Sequence, residues 1–131
     1  MRVWVLWVLM FGLWSAAPGA WAGFEEGLAA SREGDRVSAF AAYREAALQG
    51  DARAFGMLGS MYLYGLGTGR DYRLAYVWFS LAAEAGDITG ERYRRSAASV
   101  LSYEEVGEAE RLLEEYRGRL KPGSGEGPER P

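Results

Sequence analysis

Apolar side chains recur through the middle of the chain at spacings of three, four and seven, the period of one face of an α-helix. Ala39, Ala42, Tyr43, Ala46 and Ala47 make one such stripe, and Ala75, Trp78, Phe79, Ala82 and Ala83 make another. Between the stripes stand residues that end and begin helices. Gly50 and Gly86 fall where a helix closes in the left-handed conformation, and Asp51 and Asp87 follow with carboxylates for the free N–H groups of the next first turn. Asp35, Asp71 and Ser102 are further candidate caps, Ser102 with Glu105 as a capping box. The pattern predicts six helices, at about 24–33, 36–49, 52–64, 72–85, 88–99 and 103–120, paired into three antiparallel hairpins. The last would bury Val106, Ala109, Leu113, Tyr116 and Leu120. Glu104, Glu105 and Glu108 near its start and Arg117, Arg119 and Lys121 near its end match the helix dipole, and its polar outer face suits an element that closes an array.

The stripes repeat. Residues 39–51 laid over residues 75–87 keep a constant shift of 36 positions without a gap, with Ala39/Ala75, Ala46/Ala82, Ala47/Ala83, Gly50/Gly86 and Asp51/Asp87 identical. A period in this range is the signature of a repeat array. The expected fold class is therefore all-α, a short α-solenoid of antiparallel helix hairpins with about six helices, occupying residues 23–120.

The two ends read differently. Residues 1–22 carry Arg2 near the start, an apolar run from Val3 to Trp14, then small residues ending in Ala20-Trp21-Ala22, the pattern of a secretory signal peptide cleaved after Ala22. Pro18 and Gly19 break the run short of the length a membrane span needs. This predicts an exported protein, periplasmic or secreted, that meets the membrane only through the transient signal peptide. Residues 121–131, KPGSGEGPERP, contain nothing that can build a core and are expected to be a disordered tail.

Composition then removes most chemistry. The 131 residues include no cysteine and no histidine, which excludes disulfides, thiolate nucleophiles, Ser-His-Asp machinery and the usual zinc ligands. A net charge of −3 argues against nucleic acid as a partner. Glu25-Glu26 and Glu104-Glu105 are neighbours in sequence, about 100° apart on a helix, so neither pair forms a catalytic dyad. Gly65, Gly67 and Gly69 follow a helix, without the strand and lysine of a phosphate cradle, and read as a loop needing positive φ. No catalytic residue, metal ligand or cofactor site is expected, and the chain is read as not an enzyme.

At Leu58-Gly59, Tyr62, Gly65, Gly67, Asp71, Ala75, Trp78, Ala82-Ala83 and Gly86 the chain resembles the Sel-one-like repeat (SLR) family, a tetratricopeptide-related helix pair with a period near 36. The stretch from Ala75 to Leu120 is similar to the closing region of secreted bacterial members. Thr68 and Gly90 depart from the family pattern, which usually has valine and alanine there. The resemblance implies a tetratricopeptide-like binding scaffold, since such arrays are known chiefly as protein–protein interaction modules and adaptors.

The repeat register also singles out candidate partner-binding residues. Arg36 pairs with Tyr72, Val37 with Arg73, Phe40 with Tyr76 and Arg44 with Ser80, all assigned to the first helix of a hairpin, which lines the concave side in such arrays. Arginine and tyrosine are enriched among residues that dominate interface energy, so Arg36, Phe40, Arg44, Tyr72, Arg73 and Tyr76 form the expected groove, with a protein or peptide as partner. The competing expectation is that Phe40 and Tyr76 pack between hairpins. A second function, binding an envelope polymer such as peptidoglycan, fits the same aromatics, and a hydrolase is a remote third.

Overall fold

The computed structural model describes residues 20–120. The expected signal peptide, for the most part, and the expected tail, entirely, lie outside the described residues. Six helices follow in order: α1 (Ala20–Arg32), α2 (Arg36–Leu48), α3 (Arg53–Tyr64), α4 (Tyr72–Glu84), α5 (Ile88–Ser99) and α6 (Tyr103–Arg119). There is no strand among the described residues.

Local chemistry sets the boundaries. Asp35, Asp71 and Asp87 each accept a hydrogen bond from a backbone N–H of the first turn that follows. Ser102 and Glu105 form the reciprocal capping box. Asp51 accepts from the Arg53 N–H at 3.1 Å, although the helix proper starts after Ala52. Gly34, Gly50, Gly65, Gly67 and Gly86 all have positive φ, and no other residue type does among the described residues.

Small residues let the helices approach. Ala46, Ala47, Ala54, Ala75, Ala82, Ala97 and Ala109 are buried, and two glycines face aromatic rings of the partner helix. A Cβ on Gly27 would sit 2.7 Å from the Tyr43 ring, and one on Gly59 would sit 2.9 Å from the Phe79 ring. Gly90 has no room for the alanine that the resemblance leads one to expect there. A Cβ there would lie 2.8 Å from the Ala83 backbone nitrogen and 2.9 Å from the Phe79 carbonyl oxygen. Gly59→Val is therefore expected to destabilise the domain by about 2 kcal/mol through overpacking; an unchanged thermal midpoint would contradict the ring contact.

Helix α4 is the centre of the molecule. It packs against α3, α5 and α6, whereas α1 and α2 form an outer pair joined to the rest chiefly through α3. Every residue from Ala75 to Ala82 is buried, Ser80 among them with its hydroxyl donating to the Tyr76 carbonyl at 2.7 Å, so this stretch of α4 is covered all round and not only along its apolar stripe. The closing pair is more open than the two before it, because α6 lies along α4 rather than tightly against α5. Contacts from Arg73 to Glu108, Tyr76 to Glu110, Trp78 to Tyr116 and Glu84 to Arg117 advance together along both helices, so α6 runs parallel to α4. Ala109 and Leu113 of α6 are buried, while Val106, Tyr116 and Leu120 are half-buried.

A polar network joins the last three helices. The Tyr76 hydroxyl donates to Glu110 on α6 and accepts from Arg94 Nη1 on α5 at 3.1 Å. Arg94 in turn holds Glu91 through two hydrogen bonds, at 2.8 and 2.9 Å, which with the nearby Arg95 bring the Glu91 carboxyl down to about 2.

Candidate interaction surface

One edge of the molecule gathers the turns that join α1 to α2, α3 to α4 and α5 to α6. The α3–α4 loop is laid over the start of α2 by glycine. Gly65 closes α3 at φ +68 and Gly67 turns at φ +70, where a Cβ would come within 2.1 Å of the Arg36 carbonyl oxygen. The loop then delivers Arg70 and the Asp71 cap to the start of α4, beside the start of α6.

Between those two helix starts lies an open cleft of about 700 Å³ with Arg70, Tyr72 and Arg73 on one wall and Ser102, Glu105 and Glu108 on the other. The charges of Arg73 and Glu105 are committed. Arg73 bonds Glu108 at 2.6 Å across the cleft. Glu105 accepts the Ser102 N–H at 2.8 Å, and the backbone and hydroxyl of Ser102 hold its carboxyl below the usual range. A carboxyl stabilised in its charged form is a poor general acid. The arrangement offers shape and fixed charge for recognition.

From this edge a stripe climbs α2. Arg36, Phe40 and Arg44 are spaced at i, i+4 and i+8 on one face. Phe40 is half-buried and meets the Tyr62 ring edge-on, with centroids 5.4 Å apart. The Tyr62 hydroxyl titrates above its ordinary value because burial, the largest cause, outweighs the nearby Arg44 guanidinium. Arg70 lies near the Tyr72 ring, 6.0 Å from its centroid.

The structure thus brings together most of the expected groove. Arg36, Tyr72 and Arg73 lie along the turn edge, and Phe40 and Arg44 continue from it along α2. Tyr76 does not belong to this surface. It is 3% exposed, packed under α6 with its hydroxyl held by Glu110 and Arg94. For Tyr76 the competing expectation of packing between helices is the one the structure supports; Phe40 does both, with one side packed on Tyr62 and the other open. Helices α2 and α4 are, moreover, the second members of the pairs α1–α2 and α3–α4, not the first.

Other surface residues escaped the sequence reading. Val37, Tyr64 and Tyr103 are 68%, 53% and 97% exposed, and all three stand at the ends of helices that meet this edge. Arg70 was also missed. Its sequence signal is a charge placed between the glycine string and the Asp71 cap.

Comparison with known proteins agrees with this architecture. Residues 57–87, from α3 through α4, match the Sel1 repeat. The chain is 44% identical over 50 residues to an uncharacterized Sel1-like repeat-containing protein of Schizosaccharomyces pombe (strain 972), an alignment covering 38% of this chain and 8% of that protein. In structure it is similar to a protective antigen present in uropathogenic Escherichia coli strains displaying an SLR fold, with a TM-score of 0.73 and 34% identity over 82% of this chain and 24% of that one. The chain therefore spans a small part of the length of both relatives.

Proposed function

From a chain that carries a Sel1 repeat in an SLR-type helical array, we propose that it is an interaction module that docks a segment of a partner protein on the turn edge and the α2 stripe. Proteins of this fold are generally interaction modules and non-catalytic adaptors. The observation that carries the proposal for this chain is that exposed apolar side chains and arginines stand at helix ends along the same edge. Val37, Tyr64 and Tyr103 are left open along the edge that carries Arg36, Arg70 and Tyr72, and isolated exposed apolar residues carry little meaning while grouped ones mark contact sites. Export rests on the sequence pattern of residues 1–22, and N-terminal sequencing of the mature protein beginning at Gly23 is its test.

The test of docking is cross-linking in the native host with the tagged full chain, beside an Arg44→Ala/Tyr72→Ala variant that melts like the parent. A protein captured by the parent and lost by the variant supports the reading. Capture unaffected by the variant, or sedimentation of the chain with purified peptidoglycan in place of any protein, overturns it.

A further inference from the structure

We propose that the docked segment is acidic, a short run of carboxylates flanking one apolar side chain; this rests on the docking surface above and assigns its chemistry. Arg53, Arg73, Arg94, Arg95, Arg117 and Arg119 each stand within ion-pair distance of a carboxylate. Arg32, Arg36, Arg44, Arg70, Arg92 and Arg111 have no carboxylate partner among the described residues, although the whole chain is acidic with a net charge of −3; three of the six, Arg36, Arg44 and Arg70, lie together on the docking surface. Arg70 meets the Tyr72 hydroxyl at 3.5 Å, and the Arg44 guanidinium lies near Tyr62; neither neighbour is a carboxylate, so both charges stay uncompensated. A carboxylate arriving there forms a charge-assisted hydrogen bond with no native ion pair to break. Phe40, between Arg36 and Arg44, supplies the apolar seat.

The spacing limits the length of the acidic run. Eight residues of helix separate Arg36 from Arg44, about 12 Å at 1.5 Å per residue, which about four extended residues span. Beyond the cleft the sign reverses, because Glu104, Glu105 and Glu108 stand at the start of α6. A long anionic polymer would be carried over those carboxylates, so the surface selects a short acidic segment over nucleic acid.

The test uses the purified full chain and a fluorescein-labelled heptapeptide, Gly-Glu-Glu-Phe-Glu-Glu-Gly, with counterparts carrying Gln or Lys in place of Glu. Anisotropy titrations at about 50 and about 200 mM salt should show binding of the Glu peptide that weakens with salt, and roughly tenfold or greater weakening for the other two. Arg36→Glu/Arg44→Glu should lose at least roughly tenfold, and so should Arg36→Glu/Arg70→Glu, which leaves the Arg44 contact with Tyr62 intact. Arg92→Glu/Arg111→Glu, the same charge change at exposed positions on α5 and α6, should lose less than about twofold, with melting curves confirming that every variant is folded. No binding of the Glu peptide, equal binding of the Gln peptide, or an equal loss in the Arg92/Arg111 variant overturns the proposal. If these fail while cross-linking still captures a protein through Arg44 and Tyr72, the docking surface stands and its acidic chemistry falls.

Discussion

Gly67→Ala is expected to destabilise the domain by about 3 kcal/mol and to lower its melting midpoint by roughly 15 °C. Two causes add. Position 67 has φ +70, a conformation that costs an L-residue about 1–2 kcal/mol. The new methyl would also stand 2.1 Å from the Arg36 carbonyl oxygen, which is backbone and has no rotamer by which to withdraw. Gly34→Ala isolates the first cause, since Gly34 has φ +76 and nothing within 4 Å of its added Cβ. Its expected cost is about 1 kcal/mol. Thermal melts of the two variants should differ by roughly 10 °C; equal midpoints would mean that the loop does not rest on the start of α2. Because Gly67 holds the loop against Arg36, the same substitution should also displace Arg70 from the docking surface.

Trp78→Ala should cost more, about 4 kcal/mol, as the loss of a large buried side chain and the cavity left behind. The indole is 1% exposed, with Phe55 at 5.8 Å and Tyr116 at 5.1 Å between ring centroids, so it ties α3, α4 and α6 at one point. Trp78→Phe is the informative companion. The indole Nε1 is buried with no hydrogen-bond partner among the described residues, so phenylalanine gives up volume but no bond, and it removes a donor that is costly to bury. The expected penalty is below about 1.5 kcal/mol. Denaturant titrations in which Trp78→Phe costs as much as Trp78→Ala would show that the N–H is satisfied after all.

These sites differ in how far the sequence reveals them. The caps at Asp35, Asp71, Asp87 and Ser102 are local chemistry, completed within three residues, and helices α2 to α6 begin and end within one residue of where the caps and stripes place them. Packing against α6 is a long-range matter, and there the register misleads. Phe40 and Tyr76 occupy equivalent repeat positions, yet Phe40 is half-buried and Tyr76 is covered. The difference is the neighbour: α4 has a parallel helix lying along it, and α2 has no comparable contact with α4. A repeat spacing fixes which face a residue takes on its own helix and is silent on what later covers that face. The placing of Val37, Tyr64 and Tyr103 on one edge is likewise invisible in sequence, because they come from three different helix ends that only the fold assembles.

The docking of α6 on α4 also sets an order of events during synthesis. The buried stretch from Ala75 to Ala82 is complete when Glu84 has been added, but Leu113, which helps to cover it, follows about 30 residues later, a delay on the order of 1.5 to 6 s at ordinary elongation rates. In that interval Trp78 has Phe55 to rest on, and Tyr76 has Arg94 once α5 has been made, but the sides that face α6 lack their partners Tyr116 and Glu110. The growing chain is thus most exposed to misassociation late in its synthesis, and a chain ending before Leu113 would keep that sticky face permanently.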